Sequence, residues 1–373
     1  MSDSPKKRIA FVINDFMVGG AQRLIADIVS RLDAEQFEIH VITLLSFPER
    51  HSLYALLPKH IVLHKRSFRS LFAIPEWIGL YLLVRRLHLD VVFANLFFTS
   101  TVMGVLQLIC HYRLFTVIHN TYIHKTSFEI FVDRLLSGAV EKYVAVSPTV
   151  ASFTSHQENL PTERFVVIRN GLDVAGLGER VQSFSKAAVK EELGFPADAR
   201  VVVQVARMTP QKRQHLLIEG FERFYASHPE YRLVLVGGGG MEEEIRTLVR
   251  KRKLDESIRI EGNQLEVAKY YAVAEFFAST SEIEGFGLAH AEALASGVPL
   301  VSTKTAGPDE MLREGENGFF ITDETPKGVC EAFTRMHEAG PATMREAAKQ
   351  TARRYDITET VHAYERLITT GTL

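Results

Sequence analysis

The sequence predicts an α/β protein of two domains, each built on a doubly wound parallel sheet. Three observations carry this reading. The chain has 373 residues, enough for two cores of ordinary size. Short apolar runs of strand length alternate along it with stretches of helical periodicity. Glycine turns, Gly19-Gly20 and Gly237 to Gly240, follow two of those strands and open helices. A hydrophobic content of 46% and a charged content of 24% fit a soluble protein of this class.

Charge and cysteine usage exclude several classes. The net charge of −2 gives no argument for nucleic acid. Residues 1–170 hold 18 Lys+Arg against 14 Asp+Glu, and the remainder holds 25 against 31. A basic first half suits an anionic surface or acceptor. Cys110 and Cys330 are far apart, which argues against a disulfide framework or a cysteine zinc site and points to the cytoplasm. Met1 to Arg8 is polar and basic, with no apolar core of a signal peptide, and no run has transmembrane character. No Asp-x-Asp pair occurs to hold a cation.

The first domain is expected over 1–171. Arg8 to Asn14 reads as a buried strand, Met17 to Ala21 as a glycine turn and Gln22 to Leu32 as a helix. Phe37 to Leu44 and Ile61 to Leu63 read as strands. Leu71 to Leu87 is an apolar helix containing Trp77 and flanked by Lys65, Arg66, Arg69, Arg85 and Arg86. That pattern suits an interfacial helix, and equally a helix packed on the sheet with its charged ends in water. Asp90 to Asn95 is a strand, Leu96 to Leu108 a helix and Leu114 to Ile118 a strand. His119 and Asn120 follow at the carboxyl edge, where open sheets bind ligands; a structural histidine is the alternative. His124 and Lys125 stand near that edge. Lys142 to Val146 and Phe165 to Ile168 close the domain. Residues 172–199 read as linker and hinge with one short helix, Lys186 to Leu193.

The second domain is expected over 200–354. Strand Val201 to Val205 leads to Arg207 and Lys212, which precede the helix His215 to Tyr225. Cations are disfavoured at a helix start, and a bound diphosphate would resolve the conflict. Strand Tyr231 to Val236 ends in the four glycines, and Gly238 among them suggests close backbone approach to a nucleotide. Met241 to Lys253 and Val267 to Ala274 read as helices around the strand Ile258 to Glu261. The stretch Thr280 to Pro299 organises the rest. A buried strand ending at Thr280 gives a tight loop, Ser281 to Leu288, then a short helix stopped by Gly297. Gly285 and Gly287 permit the turn, and the amides of Phe286 to Leu288 point out of the helix start. Glu292 could accept two hydrogen bonds from a ribose diol, and Glu284 could face a sugar ring. On spacing alone, a helix-capping Glu292 and an exposed Glu284 serve as well. Thr305 to Glu310 begins a helix, Gly315 to Phe320 turns into a last strand, and residues 355–373 form a C-terminal helix.

The segment Glu284-Gly-Phe-Gly-Leu-Ala-His-Ala-Glu292, followed by Ala-Leu-Ala-Ser-Gly-Val-Pro, resembles the E-x7-E signature of retaining glycosyltransferases of family 4. Gly19-Gly20-Ala21, His119, Asn170 to Asp173, Arg207 with Lys212, and Gly262 to Leu265 resemble further segments of that family. Gly307 to Leu312 is similar to capsule and O-antigen polysaccharide assembly enzymes. The resemblance implies a GT-B fold, two Rossmann-like domains facing across a cleft, with the C-terminal helix crossing back to the first. It implies a UDP- or GDP-linked sugar donor, no metal and no cofactor. Arg207, Lys212, Glu284 and His119 would be catalytic. Gly19, Gly20, Gly238, Leu265, Phe286, Gly287, Leu288 and Glu292 would bind the donor. The acceptor would be a glycan or lipid-linked glycan, reached in the cytoplasm or at the inner face of the cytoplasmic membrane through Leu71 to Leu87. Two other classes stay open: a nucleotide-binding subunit that assists another enzyme, and an epimerase or dinucleotide oxidoreductase on a similar frame.

Overall fold

The computed structural model describes residues 5–46, 52–68 and 73–373. Two compact units emerge: residues 1–171 with 357–373, and residues 172–356.

The first unit is a seven-stranded parallel sheet. Its strands are β1 (Lys7–Ile13), β2 (Phe37–Thr43), β3 (Val62–Lys65), β4 (Val91–Asn95), β5 (Arg113–Ile118), β6 (Lys142–Ala145) and β7 (Phe165–Val167). They lie in the order β3-β2-β1-β4-β5-β6-β7, so the direction of winding reverses between β1 and β4. The connecting helices are α1 (Gly20–Val29), α2 (Ile74–Leu87), α3 (Phe97–Cys110), α4 (Ser127–Leu136) and α5 (Pro148–Glu158). Leu71 and Phe72, expected at the start of α2, lie outside the described residues, as does Arg69.

α4 is absent from the periodicity reading. Its start is nonetheless written in the sequence: the Thr126 hydroxyl accepts from the Glu129 N–H, and the Glu129 carboxylate accepts from the Thr126 N–H.

The second unit is a six-stranded parallel sheet. It begins with two helices: α7 (Lys186–Glu192) is the short helix expected at Lys186 to Leu193, and α6 (Val174–Ser183) stands where linker alone was expected. The Asp173 carboxylate caps α6 by accepting from the Gly176 N–H, and Leu177 is buried. Two glycines inside α6, Gly176 and Gly178, weaken its propensity and hide it from the sequence. The strands are β8 (Arg200–Val205), β9 (Tyr231–Val236), β10 (Ile258–Gly262), β11 (Ala274–Ser279), β12 (Leu300–Thr303) and β13 (Gly318–Ile321). Their order is β10-β9-β8-β11-β12-β13, with the reversal between β8 and β11. The helices are α8 (Gln214–Tyr225), α9 (Glu242–Lys251), α10 (Ala268–Val273), α11 (Leu288–Ala295), α12 (Ala306–Met311), α13 (Pro326–Ala339) and α14 (Arg345–Ala352). The core under α8 and α13 is built on Phe221, Phe224, Phe276 and Phe333, none of them more than marginally exposed.

The last helix, α15 (Ile357–Thr370), belongs to the first unit. Phe11, Phe93 and Phe115 are register partners on adjacent strands and stack with centroids 5.0 and 5.2 Å apart. The Tyr364 ring of α15 covers this row, 5.0 Å from Phe93. Lys7 and Arg113 donate to the Ile368 carbonyl, at 3.3 and 3.0 Å, where exposed carbonyls at a helix end need donors.

The glycine run after β9 has a structural task. Gly237, at φ +127°, donates to the Gly262 carbonyl at 2.7 Å, and a Cβ there would stand 2.1 Å from the Ala206 carbonyl oxygen. At Gly239, φ +154°, it would stand 2.3 Å from the Met208 oxygen. At these two positions the close approach is to the chain's own β8 loop. Replacing Gly237 by Ala adds a strained φ and a backbone clash, so it is expected to cost about 2 kcal/mol or more. The measurement is the urea midpoint of the Gly237→Ala variant. An unchanged midpoint contradicts this account of the glycines.

Candidate functional site

β8 and β11 are the strands where the second sheet reverses direction, so the crevice beyond their carboxyl ends is the ligand position of an open sheet. The two loops leaving these strands are bound to each other. The Glu282 N–H donates to the Gln211 carbonyl at 2.9 Å. Arg213 Nε donates to the Thr280 carbonyl at 2.8 Å, and the Thr280 hydroxyl donates back to the Arg213 carbonyl at 2.9 Å.

This bracing brings Lys212 against Glu284. Lys212 ends a single 3-10 turn, Pro210–Lys212, and its Nζ donates to Glu284 Oε1 at 2.5 Å. The Ser281 hydroxyl donates to the same oxygen at 3.0 Å. Burial pushes the Glu284 carboxyl up, but the Lys212 charge and the donated hydrogen bonds outweigh it, and its pKa is lowered. The pair is therefore a carboxylate and an ammonium, both almost out of water. Arg207, at the end of β8, is exposed and forms no ion pair among the described residues.

The loop to α11 forms as its glycines dictate. Gly287 precedes the helix at φ +83° and supplies no side-chain cap. The amides of Leu288 and Ala289 thus start a helix with no intrahelical acceptor, a position that receives anions and hydroxyl oxygens. Phe286 is buried with its ring 5.3 Å from Tyr355, which holds the loop down. Gly307 passes so close that a Cβ would overlap the Phe286 carbonyl. Glu292 lies beyond the first turn of α11, half-buried, and accepts from the Tyr271 hydroxyl at 2.9 Å. Burial first, then the Glu292 charge, raises the Tyr271 pKa well above its ordinary value, so Tyr271 stays a donor.

His290, in the first turn of α11, is a residue that motif reading passed over. Its Nε2 is 3.0 Å from the Ser302 hydroxyl, which donates onward to the Thr303 carbonyl. The network therefore places the proton on Nε2 and leaves Nδ1 as a bare acceptor. Burial lowers its pKa to about 4, so the ring is neutral. A Cβ at Gly287 would stand 2.7 Å from Nδ1, a second reason for glycine there.

Gly238 and Leu265 stand on neighbouring strand ends. The Gly238 N–H donates to Asn263 Oδ1 at 2.8 Å, which ties the β9 loop to the β10 loop. Leu265 is two-thirds exposed.

The first unit carries the other predicted residues. His119 follows β5, and its Nε2 is 2.8 Å from Asn95 Oδ1 at the end of β4. Asn95 Nδ2 donates to the Val12 and Phe93 carbonyls, which fixes its oxygen toward His119. Burial lowers the His119 pKa to about 4. His119 is thus a neutral ring with Nδ1 unprotonated, oriented by a buried asparagine. Gly19 is extended at φ −173°, and Gly20 begins α1. Asp15 Oδ1 accepts from the Met17 N–H and from Gln22 Nε2, which shapes that turn. Sequence reasoning missed Asn95, Tyr271, Ser281 and His290. Only His290, inside the motif, carried a local signal.

Comparison with known proteins adds a family. Residues 185–355 match the family model described as glycosyl transferases group 1, and residues 18–175 match glycosyltransferase family 4. Alpha-monoglucosyldiacylglycerol synthase of Acholeplasma laidlawii is 24% identical over 82% of this chain and 82% of that protein. The lipopolysaccharide core biosynthesis glycosyltransferase LpsE of Rhizobium meliloti is 30% identical over 42% of this chain and 48% of that protein. Beyond the first of these, the chain matches about half the length of several curated relatives. Anabaena HepE, solved in complex with UDP and glucose, superposes with a TM-score of 0.83 at 20% identity, covering 97% of this chain and 99% of that one. Sucrose-phosphate synthase from Thermosynechococcus elongatus gives 0.80 at 17% identity over 97% and 98%. The fold is of the GT-B class, with two Rossmann-like units.

The neutral buried histidines set a pH response. The unfolded chain protonates a histidine below about 6.5, while folded His290 resists protonation until about 4. Stability is therefore expected to fall as pH drops from about 6.5 to 4. Urea titrations of wild type and His290→Gln over that range should show a shallower slope in the variant. An equal slope contradicts the assignment of a neutral His290.

Proposed function

The chain belongs to the group 1 and family 4 glycosyltransferases, and from that premise we propose a specific reaction. A sugar moves from a UDP- or GDP-linked donor to a glycan or lipid-linked acceptor, with retention of configuration and without a metal ion, in cell-surface polysaccharide synthesis. The observation that carries this reading is the Lys212–Glu284 pair, held on the loops before α8 and α11 at the reversal of the second sheet.

The pair suits a nucleotide sugar for a chemical reason. Lys212 spends one of its three N–H donors on Glu284, and the other two can meet phosphate oxygens. Arg207 can bridge two such oxygens. As the bond from the sugar C1 to the diphosphate breaks, negative charge builds on the departing oxygens. Lys212, Arg207 and the amides of Leu288 and Ala289 stabilise it with dipoles and charges already in place. Glu284, ionised, accepts from a sugar hydroxyl, and Glu292 accepts from the ribose diol. The acceptor hydroxyl then attacks C1 from the face the diphosphate leaves, and its proton passes to a departing phosphate oxygen. Gly19, Gly20, Gly238, Leu265 and His119 are kept in the ligand set on the family pattern.

The finer assignments draw on the relatives. HepE was solved with UDP, which favours a uridine donor. The Acholeplasma and Rhizobium proteins are named for a lipid and for lipopolysaccharide core, which favours an acceptor near a membrane. Peripheral contact through α2, expected over Leu71 to Leu87, fits that acceptor. No described helix is long and apolar enough to cross a membrane.

Two measurements test the reaction. Lys212→Ala should lower kcat by about 10²–10³ while donor Kd changes much less, because its charge acts on the transition state. Equal losses in both contradict that role. Transfer should also survive chelation with EDTA. Loss of turnover that magnesium or manganese restores contradicts metal independence.

A further inference from the structure

We propose that Arg213, backed by Glu324, is the positioning residue that holds Lys212 at the crevice, a role that rests on Lys212 meeting the departing diphosphate. The backbone at Arg213 stands at φ +47° and ψ +46°, the left-handed region where a side chain meets a steric penalty. Among the described residues, His88, Leu96, His111, Asn159 and Lys253 share a positive φ without being glycine. His88, His111 and Asn159 end α2, α3 and α5, where a left-handed residue is an ordinary stop. Arg213 stops one turn and starts the next helix. It closes the 3-10 turn Pro210–Lys212, and its carbonyl accepts the first bonds of α8, from the Leu216 and Leu217 N–H groups at 3.0 and 3.3 Å. The change of φ at this one residue separates the turn that carries Lys212 from the helix that follows.

The side chain accounts for an arginine in that conformation. Its guanidinium is anchored to two other loops. Nε donates to the Thr280 carbonyl at 2.8 Å, where β11 gives way to its loop. Nη1 pairs with Glu324 Oε2 at 2.7 Å, in the loop from β13 to α13. The Thr280 hydroxyl contacts the carbonyls of both Lys212 and Arg213, at 3.2 and 2.9 Å. The Lys212 backbone is thus held at its own carbonyl and through its neighbour. Arg213 is 19% exposed and Thr280 is buried, so water competes little for these bonds. The next residue acts at the other end of the loop. Gln214 is buried, and its Nε2 donates to the Arg207 carbonyl at 3.0 Å. Both cations of the loop are therefore tied to the two residues that follow it.

A lysine is a flexible point charge, so a charge ready in place needs a fixed backbone beneath it. Arg213 supplies that through two bonds in a rigid fork, which a lysine cannot reproduce. With Nε and Nη1 committed to Thr280 and Glu324, and Nη2 out of contact with water, the guanidinium acts on the loops and through them on Lys212.

The test takes the full chain as wild type, Arg213→Gly, Arg213→Lys and Glu324→Gln. Glycine accepts the left-handed φ and removes only the brace, and the thermal midpoint verifies folding. The first readout is the rate at which acetic anhydride labels the Lys212 amine, followed by peptide mass spectrometry. The Glu284 pair protects that amine in the wild type. Both arginine variants should label about fivefold faster or more, and Glu324→Gln, at a half-exposed partner, about twofold faster. The second readout is hydrolysis of a sugar nucleotide, chosen among UDP-glucose, UDP-N-acetylglucosamine and GDP-mannose by wild-type turnover. In both arginine variants kcat should fall about tenfold while the Kd of the matching nucleoside diphosphate changes by less than about twofold. Labelling needs no donor, so its pattern supports the brace even where the wild type binds no nucleotide, a result that contradicts the transferase reading instead. Wild-type labelling of Lys212 in either arginine variant overturns the proposal. So does wild-type kcat in Arg213→Gly. Full activity in Arg213→Lys assigns Arg213 a charge acting directly on the ligand and also overturns it.

Discussion

Lys212 and Glu284 are far apart in sequence, and an almost buried ion pair joins them at 2.5 Å. A buried ion pair is costly to assemble and strongly destabilising to break on one side only. Here the cost is offset by supporting bonds. Ser281 donates to the same carboxylate oxygen, the Thr303 hydroxyl donates to the Ser281 carbonyl, and Arg213 and Thr280 exchange hydrogen bonds across the two loops. The reversal of strand order between β8 and β11 makes those loops neighbours in the first place. Topology thus creates the crevice, the loop bonds fix its walls, and the ion pair sets its charge.

The same logic orders the remaining polar groups. Tyr271 holds Glu292, Ser302 fixes the tautomer of His290, and Asn95 does the same for His119. In each case a residue on a rigid element fixes the orientation of its partner. The glycines serve the same end. Gly237, Gly239 and Gly307 lie where a side chain would strike the backbone of a neighbouring loop, and Gly287 where it would strike the His290 ring. Their absence of a Cβ lets the β9 segment pack on the β8 loop and the β12 segment on the β11 loop.

Much of this was legible before the coordinates. The strand, tight loop and short helix around Glu284 and Glu292 appear as expected: α11 spans Leu288–Ala295, and Gly297 follows it at φ +72°. The Lys212 and Arg207 loop was marked by cations in an unfavourable position. What stayed hidden needed either register or context. Asn95 meets His119 only because β4 pairs with β5, and Tyr271 reaches Glu292 from another helix. Helix α6 was obscured by two glycines. Helix α4 went unread although its capping box marks its start and Phe128, Phe131 and Leu135 recur at helical spacing on its exposed side. The four-glycine run was read toward a nucleotide, yet Gly237 and Gly239 pack on the protein's own loop.

Binding of a nucleoside diphosphate in the crevice of the second unit, with Glu292 on the ribose, is read by calorimetric titration of UDP, GDP and ADP into the wild type and Glu292→Ala. One diphosphate should bind, and Glu292→Ala should weaken it by about tenfold or more, the scale of a charged hydrogen bond. Binding of none of the three, or equal binding to both proteins, contradicts it.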